Sequence, residues 1–522
     1  MPTLNWIGKD KVVNHHLDVP FRVLEEQYTY GDNADGNMII HGDNLDALKA
    51  LLPRFEGRVK CIYIDPPYNT GNEGWVYNDN VNDPKIRKWL GEVVGREGED
   101  LSRHDKWLCM MYPRLKLLQK LLHPTDGVIF ISIDENEYAN LKLICNEIFG
   151  ANSFVITIAW QKRYSRENRG SIGDSHEYVL VYATDPEVFK VTRNYLPLTE
   201  KQLKAYSNPD NDPRGAWQSV SLLAQGYRPN QMYAITAPNG RVHTPPPGNC
   251  WKVIEPELKK ALADNRVTFG SDGNGVPRRK QFLAEAKGLV PWSWWPFEEV
   301  GHTDEAKKEI KDILNDITVF DTPKPVRLIE RIIQIATKSD SIILDSFAGS
   351  GTTAHAALNM NKQDGGHRRF ILVETEDYAE NITAERVRRV ITGYGEGKKA
   401  VEGTGGGFSF DELGAPLMID GNLNPDVPEA RIREYVYYTE TKLPMPSASE
   451  AEPHLLGVHN RAAYYFYYLP DAVTTLNEAF LCTIHTDADS YMIYADINAL
   501  DEATMKRHHI TFKKIPRDIT LL

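Results

Sequence analysis

The residues in this chain best suited to do chemistry are Asp65, Pro66, Pro67 and Tyr68, which follow directly on the apolar run from Val59 to Ile64. Two successive prolines cannot continue a sheet ladder, and their fixed φ holds the backbone just past the strand. An acid and an aromatic are thereby presented at a strand's carboxyl end, where open α/β sheets bind ligands. The chemistry this suits is methylation of an exocyclic amine. Such a nitrogen is a poor nucleophile, because its lone pair is delocalised into the ring. Asp65 and the Pro66 carbonyl can accept its two hydrogens, and Tyr68 can stack on the ring. The same four residues also read as a strand followed by a Pro-rich turn, so the rest of the chain must decide.

A second constellation lies far along the chain. Ser341 to Asp345 is another apolar strand, running into Ser346-Phe347-Ala348-Gly349-Ser350-Gly351-Thr352-Thr353 and a helix-like stretch from Ala354 to Leu358. A strand, a Gly-x-Gly turn and a helix start form a nucleotide-type cradle, because glycines let the backbone approach a ligand. Ala354 stands where the third glycine of a dinucleotide fingerprint would be, and no Gly-Lys-Ser/Thr follows. Both the dinucleotide and the ATP P-loop readings are thereby disfavoured. A further strand, Arg369 to Val373, ends in Glu374, spaced to reach ribose hydroxyls from the neighbouring strand. Taken alone, Gly-x-Gly is also an ordinary tight turn.

Asp65-Pro66-Pro67-Tyr68 ahead of Asp345-Ser346-Phe347-Ala348-Gly349-Ser350-Gly351 resembles the amino-methyltransferases of DNA that use S-adenosylmethionine. The order, catalytic motif first and cofactor motif last, is that of their β class. Asn69-Thr70-Gly71-Asn72, Tyr77-Asn78-Asp79, the run Gly127 to Asp134 and Thr322-Pro323-Lys324-Pro325 narrow the likeness. They point to the adenine-specific Mod proteins of type III restriction–modification and their stand-alone relatives, over about residues 1 to 395.

The resemblance implies an α/β fold: a doubly wound, Rossmann-like sheet with an inserted target-recognition domain; beyond it, the strand-like and helix-like stretches of residues 408–522 themselves read as a small C-terminal α/β domain. It implies S-adenosylmethionine as cofactor, held by Asp345, Phe347, Ala348, Gly349, Ser350, Gly351, Thr352 and Glu374. Lys324 and Pro325 would line its methionine end, and Asp43 and Asn44 would face its adenine end. Catalysis would fall to Asp65, Pro66, Pro67 and Tyr68, by direct methyl transfer to N6 of an adenine flipped out of double-stranded DNA. Lys162, Arg163, Arg166 and Arg169 would contact DNA, and Tyr178 would lie near the flipped base. Plainer readings stand beside these. Asp43 or Asn44 can cap the following helix, Tyr178 can be a core strand residue, and basic runs are commonly solvated faces.

The implied role is site-specific modification in a restriction–modification or related defence system, or as an orphan enzyme. Duplex DNA is the implied partner; a homodimer and a separate nuclease/helicase restriction subunit stay open. An N4-cytosine methyltransferase would present the same geometry, but that family tends to carry Ser where Asp65 stands. Enzymes acting on RNA or protein glutamine tend to carry Asn there. A DNA-specificity subunit without catalysis is opposed by the intact Asp65, Tyr68 and both glycines.

These residues need elements to position them. The chain of 522 residues is long enough for two to four domains, with 41% hydrophobic and 25% charged residues. Residues 1–36 read as an irregular arm. Residues 37–183 and 306–395 read as two halves of a methyltransferase domain, 184–305 as a target-recognition insertion of irregular β structure, and 396–522 as a Gly-rich linker and C-terminal domain. Trp107, Met111, Leu115, Leu118 and Leu122 form one apolar helix face. The segment 69–84 reads as a loop able to close over substrate, and 91–102 as mobile. The tryptophans between 292 and 295 suit packing more than stacking on nucleotides. A net charge of −12 sits awkwardly with DNA, although a cleft can be positive on an acidic protein. Five scattered cysteines, no apolar run of membrane length and no leader-like core at Met1 to Trp6 suit the cytoplasm.

Overall fold

The computed structural model describes residues 3–32, 34, 36–70, 103–165, 172–315, 320, 322–447 and 449–520. The apolar runs become the middle strands of one mixed sheet. In chain order its strands are β1 (Arg22–Gly31), β2 (Met38–His41), β3 (Cys61–Ile64), β4 (Val128–Ile133), β5 (Phe154–Gln161), β6 (His176–Ala183), β7 (Trp294–Trp295), β8 (Ile342–Asp345), β9 (Arg369–Glu374) and β10 (Gly407–Pro416). Their spatial order is β1-β10-β2-β9-β8-β3-β4-β6-β5-β7. From β10 to β4 every neighbouring pair is parallel. β6 runs antiparallel to both β4 and β5, and β1 runs antiparallel to β10.

β3, β4 and β8 are buried along their whole length, and so is β9 after its first residue. Parallel strands of this kind need cover on both faces. Helices supply it: α1 (Asn44–Phe55), α2 (Arg103–Leu121), α3 (Tyr138–Ile148), α4 (Thr303–Leu314), α5 (Val326–Ala336), α6 (Thr352–Asp364), α7 (Glu385–Thr392) and α8 (Glu429–Thr441). The expected stripe on α2 is core: Trp107, Met111, Leu115 and Leu118 are fully buried. After β3 the chain winds on to β4, and after β8 it winds the other way to β9. The winding therefore reverses between β3 and β8, where Ile343 lies opposite Cys61 and Leu344 opposite Ile62. Doubly wound sheets bind ligands at such a reversal.

Four expectations change. The arm over 1–36 contains the ten-residue strand β1. The Gly-rich linker runs instead through a short hairpin, Gly393–Tyr394 with Val401–Glu402, into β10, which pairs with β2 inside the sheet. β7 pairs with β5, so Trp294 and Trp295 belong to this sheet and not to the insertion. The compact second unit is Tyr195–Pro291, narrower than the 184–305 expected. It has a three-stranded sheet (Val267–Thr268, Arg278–Phe282, Trp217–Ser221), two two-stranded antiparallel ladders, a helix at Glu255–Ala263, and a core around Trp251, Leu258 and Phe269. The C-terminal region adds a four-stranded sheet of Leu455–His459, Ala462–Phe466, Ser490–Ala495 and Ile510–Lys514. Tyr464 and Tyr465 are core there. Among the described residues no helix is long and apolar enough to cross a membrane.

Candidate active site

β3 stops at Ile64, and the chain turns away from the carboxyl edge of the sheet. Side chains from α2 and from Glu137, just ahead of α3, hold that turn. Trp107 Nε1 donates to the Pro67 carbonyl at 2.7 Å. Asn69, in the left-handed region at φ 61, donates its amide to Glu137 Oε1. Asparagine tolerates that conformation better than most residues. The same oxygen takes His104 Nδ1 at 2.7 Å. The turn between a fully buried strand and Asn69 is thus tied at both ends.

Asp65 sits between two donors. The Tyr68 hydroxyl donates to its Oδ1 at 2.9 Å, and Lys324 Nζ to its Oδ2 at 2.6 Å. Glu177, the second residue of β6, reaches the same place. Its Oε2 lies 3.0 Å from the Tyr68 hydroxyl and 3.8 Å from Lys324 Nζ. Its Oε1 lies 3.4 Å from Lys162 Nζ, which also pairs with Asp174 at 2.7 Å. Lys324 Nζ stands 5.0 Å from the centre of the Tyr68 ring and 6.0 Å from that of Trp160. Burial pushes the Asp65 carboxyl above the usual carboxylate range; Lys324 opposes that push, and the Glu177 charge adds to it. Burial works against the Lys324 ammonium, but Asp65 and Glu177 outweigh it and raise its pKa. Burial, then Asp65 and Glu177, hold the Tyr68 phenol well above its ordinary pKa, so it is a neutral donor. Each carboxylate oxygen of Asp65 keeps a second lone pair for a substrate hydrogen.

One strand over, β8 ends at Asp345. Its carboxylate accepts the Phe347 amide at 3.1 Å and the Thr353 hydroxyl at 2.5 Å, closing the turn that leads into α6. Gly349 and Gly351 have φ of 52° and 79°. A Cβ at Gly349 would come within 2.9 Å of the Phe320 ring, and one at Gly351 within 3.1 Å of the Thr383 carbonyl. At the end of β9, Glu374 accepts the amides of Gly349 at 2.6 Å, Thr375 at 2.9 Å and Glu376 at 3.0 Å. Burial pushes Asp345 and Glu374 each up to about 7. Arg386 donates to the hydroxyls of Ser350 at 2.9 Å and Thr352 at 2.8 Å. The Thr352 hydroxyl in turn donates to the Lys324 carbonyl at 3.4 Å, which joins this cradle to the Asp65 site. Ser346 Oγ and Thr375 Oγ1, at the ends of β8 and β9, are buried with no hydrogen-bond partner among the described residues.

The structure thus brings Asp65, Tyr68 and Lys324 together, and gathers Asp345 to Thr352 with Glu374 beside them. Ala348 is fixed by the hydrogen bond its backbone N–H donates to the Val373 carbonyl at 3.0 Å, and Pro325 caps α5. Asn44 joins the cradle, donating to the Ser346 carbonyl at 2.8 Å. Asp43 caps α1 through the Leu45 amide at 2.8 Å and pairs with Arg114 at 3.2 Å. Two of the residues expected to meet DNA have partners within the chain. The Lys162 charge is spent on Asp174 and Glu177. The Tyr178 ring packs on Tyr138 at 4.7 Å and His176 at 5.0 Å, as a half-buried strand residue does. Arg163 is exposed. Arg166, Arg169, most of 69–84 and all of 91–102 lie outside the described residues. Sequence reasoning passed over Glu177, Trp107 and Glu137 as site residues. An acid opening an otherwise apolar strand was the available signal for Glu177.

Comparison with known proteins supplies the context. A family model described as DNA methylase matches residues 59–385. The chain is 39% identical over 403 residues to the type III restriction-modification enzyme StyLTI Mod subunit of Salmonella typhimurium, covering 73% of this chain and 59% of that protein. It is 30% identical over 427 residues to the EcoP15I Mod subunit of Escherichia coli, covering 72% and 64%. It is 32% identical over 365 residues to the type II methyltransferase M.KpnI of Klebsiella pneumoniae, covering 66% and 81%. The chain therefore spans about three-fifths of the length of the type III relatives.

Proposed function

This chain belongs to the DNA methylase family, and from that premise we propose that it transfers methyl groups from S-adenosylmethionine to N6 of an adenine turned out of duplex DNA, at a specific sequence. The observation that carries the reading is the pairing of β3 with β8. It sets the Asp65–Tyr68 turn beside the 346–352 cradle, at the point where the sheet's winding reverses.

The cradle fits an adenosyl cofactor. Two buried acids end adjacent strands, two glycines hold the turn in conformations other residues resist, and two buried hydroxyls have polar capacity to spare. Asp345, Glu374, Ser346 and the 347–352 backbone would hold the group, with Asn44 on one side and the Lys324–Pro325 segment on the other. When bound, S-adenosylmethionine supplies an electrophilic methyl group.

The remaining work belongs to the chain's own residues. The adenine cannot be reached inside the duplex and is extruded into the site. Asp65 and the Pro66 carbonyl accept the amine's hydrogens and localise its lone pair; the two prolines keep both acceptors still. The Tyr68 ring gives the base a stacking face. Lys324 balances the Asp65 charge. Catalysis is then mainly positioning and preorganised electrostatics, without a covalent enzyme intermediate.

On the same reading the unit Tyr195–Pro291 and Arg163 select the sequence. The partners are duplex DNA, a second copy of the chain and a separate nuclease/helicase subunit, and the protein works in the cytoplasm. The names of the Mod relatives support the modification role. The test is base-resolved sequencing of DNA from a host expressing the parent chain or Asp65→Ala. N6-methyladenine at one motif in the first sample alone is expected. Unmodified DNA from a folded, cofactor-binding parent would reject the reading.

A further inference from the structure

The Tyr68 hydroxyl carries one hydrogen, yet it faces two carboxylates, Asp65 Oδ1 at 2.9 Å and Glu177 Oε2 at 3.0 Å. With both acids ionised, one of those contacts has no hydrogen in it. Lys324 does not fill the gap, since its Nζ lies on the other oxygen of Asp65 at 2.6 Å and is 3.8 Å from Glu177. The charge count points the same way. Among the described residues Asp65, Glu177 and Asp174 face Lys324 and Lys162, so the cluster as described is one positive charge short. Asp134 at the end of β4 and Asp345 at the end of β8 add further acid character, His176 adjoins Glu177, and the Tyr63 phenol adds no compensating cation.

From this geometry we propose, resting on the methyl-transfer reading above, that Asp65, Tyr68 and Glu177 form a receptacle for the one proton the methylated amine must release, with Glu177 at its outer end. The bookkeeping is closed. As the nitrogen lone pair bonds to the methyl group, the amine N–H breaks, that bond's electron pair stays on nitrogen, and an O–H forms on Asp65. Asp65 then donates to the Tyr68 oxygen as the Tyr68 hydrogen passes to Glu177, so both contacts hold a hydrogen. Glu177 passes the proton to water on the side facing Lys162, and the trio returns to its starting state. Glu177 is in this sense a further catalytic residue, and the Tyr68 hydroxyl acts separately from the Tyr68 ring.

The experiment is single-turnover methylation of duplex DNA across pH by the parent, Glu177→Gln, Tyr68→Phe and the double variant. Cofactor affinity is measured alongside by calorimetry. Each single change should slow methyl transfer by about 10- to 100-fold, the lower reach of acid–base assistance, with cofactor affinity unchanged. The double should be no slower than the worse single, because both cut one path. The acid limb of Glu177→Gln should move to lower pH, because the negative neighbour that helps raise Asp65 is gone. Infrared titration of the cofactor-free proteins gives a readout without turnover. A buried carboxylic acid band should form in the parent at a higher pH than in Glu177→Gln. Parent-like rates in the variants, losses that multiply in the double, or an unmoved acid limb and band would overturn the relay alone. A parent that methylates no DNA would remove the function reading along with it.

Discussion

At the scale of single residues, the site is an acid that cannot move and a cation that balances it. Asp65 is held from both sides, so replacing it removes more than one acceptor. Asp65→Ala should cut methyl transfer by about 10²- to 10³-fold, the usual cost of losing one preorganised polar group. Cofactor affinity should stay near the parent's, because the cradle is built from β8, β9 and α6. Calorimetry beside a single-turnover assay decides it, and activity within a few-fold of the parent would end the assignment. Asp345 gives a prediction about stability. Burial raises its folded pKa to about 7, whereas an exposed aspartate titrates near 4. The folded form then binds the extra proton, so this group's contribution to stability falls as pH rises from about 4 to about 7. Glu374 acts in the same direction. Melting temperatures across that window should decline less steeply for Asp345→Asn than for the parent, and equal slopes would contradict the burial argument.

At the scale of elements, what was legible in the sequence follows burial. β3, β4, β8 and β9 are covered on both faces, so their apolar runs announced them. β1 and β10 escaped because they lie toward the sheet's margin. β1 buries Val23 and Leu24 and exposes Glu25, Glu26 and Gln27, which reads as a charged arm. β10 follows a glycine-rich run and carries Asp411 and Glu412, so its inward Phe408 and Phe410 were not enough. Glu177 was not legible as a site residue because only the packing of β6 against β4 brings it to Asp65. The glycines were legible, but for a partly wrong reason. The space beyond Gly351 is filled by Thr383, so the residue is needed by the fold before any ligand arrives. Gly351→Ala should therefore destabilise the protein by about 1–2 kcal/mol through its left-handed φ, visible in denaturant melts without cofactor. Trp107→Phe keeps the packing of α2 but leaves the Pro67 carbonyl without its donor. It should cost about 1–3 kcal/mol and slow methylation by loosening the turn that carries Asp65. A variant with parent stability and rate would show that the prolines alone hold that turn.

At the scale of the whole molecule, the compact unit Tyr195–Pro291 is inserted in the sequence between β6 and β7. The second unit has its own core, and its basic run Arg278-Arg279-Lys280 is partly spent internally: Lys280 is buried against Asp210 and Asp212. Exchanging Tyr195–Pro291 for the matching unit of a relative should carry the methylated motif with it, read by sequencing modified DNA; a motif that stayed with the host sheet would place sequence choice elsewhere. The pairing of β3 with β8 also bears on how the chain is made. On the ribosome β3 and β4 emerge early and can pair, but the other edge of β3 has no partner until β8 is synthesised, after the whole of the second unit. Contacts so distant in sequence close slowly. A nascent chain halted before Ile342 therefore presents Cys61–Ile64 as a bare apolar edge, a template for aggregation. The β3–β8 junction, the cradle beside it and escape from that hazard all arrive together, once Ile342–Asp345 has been synthesised.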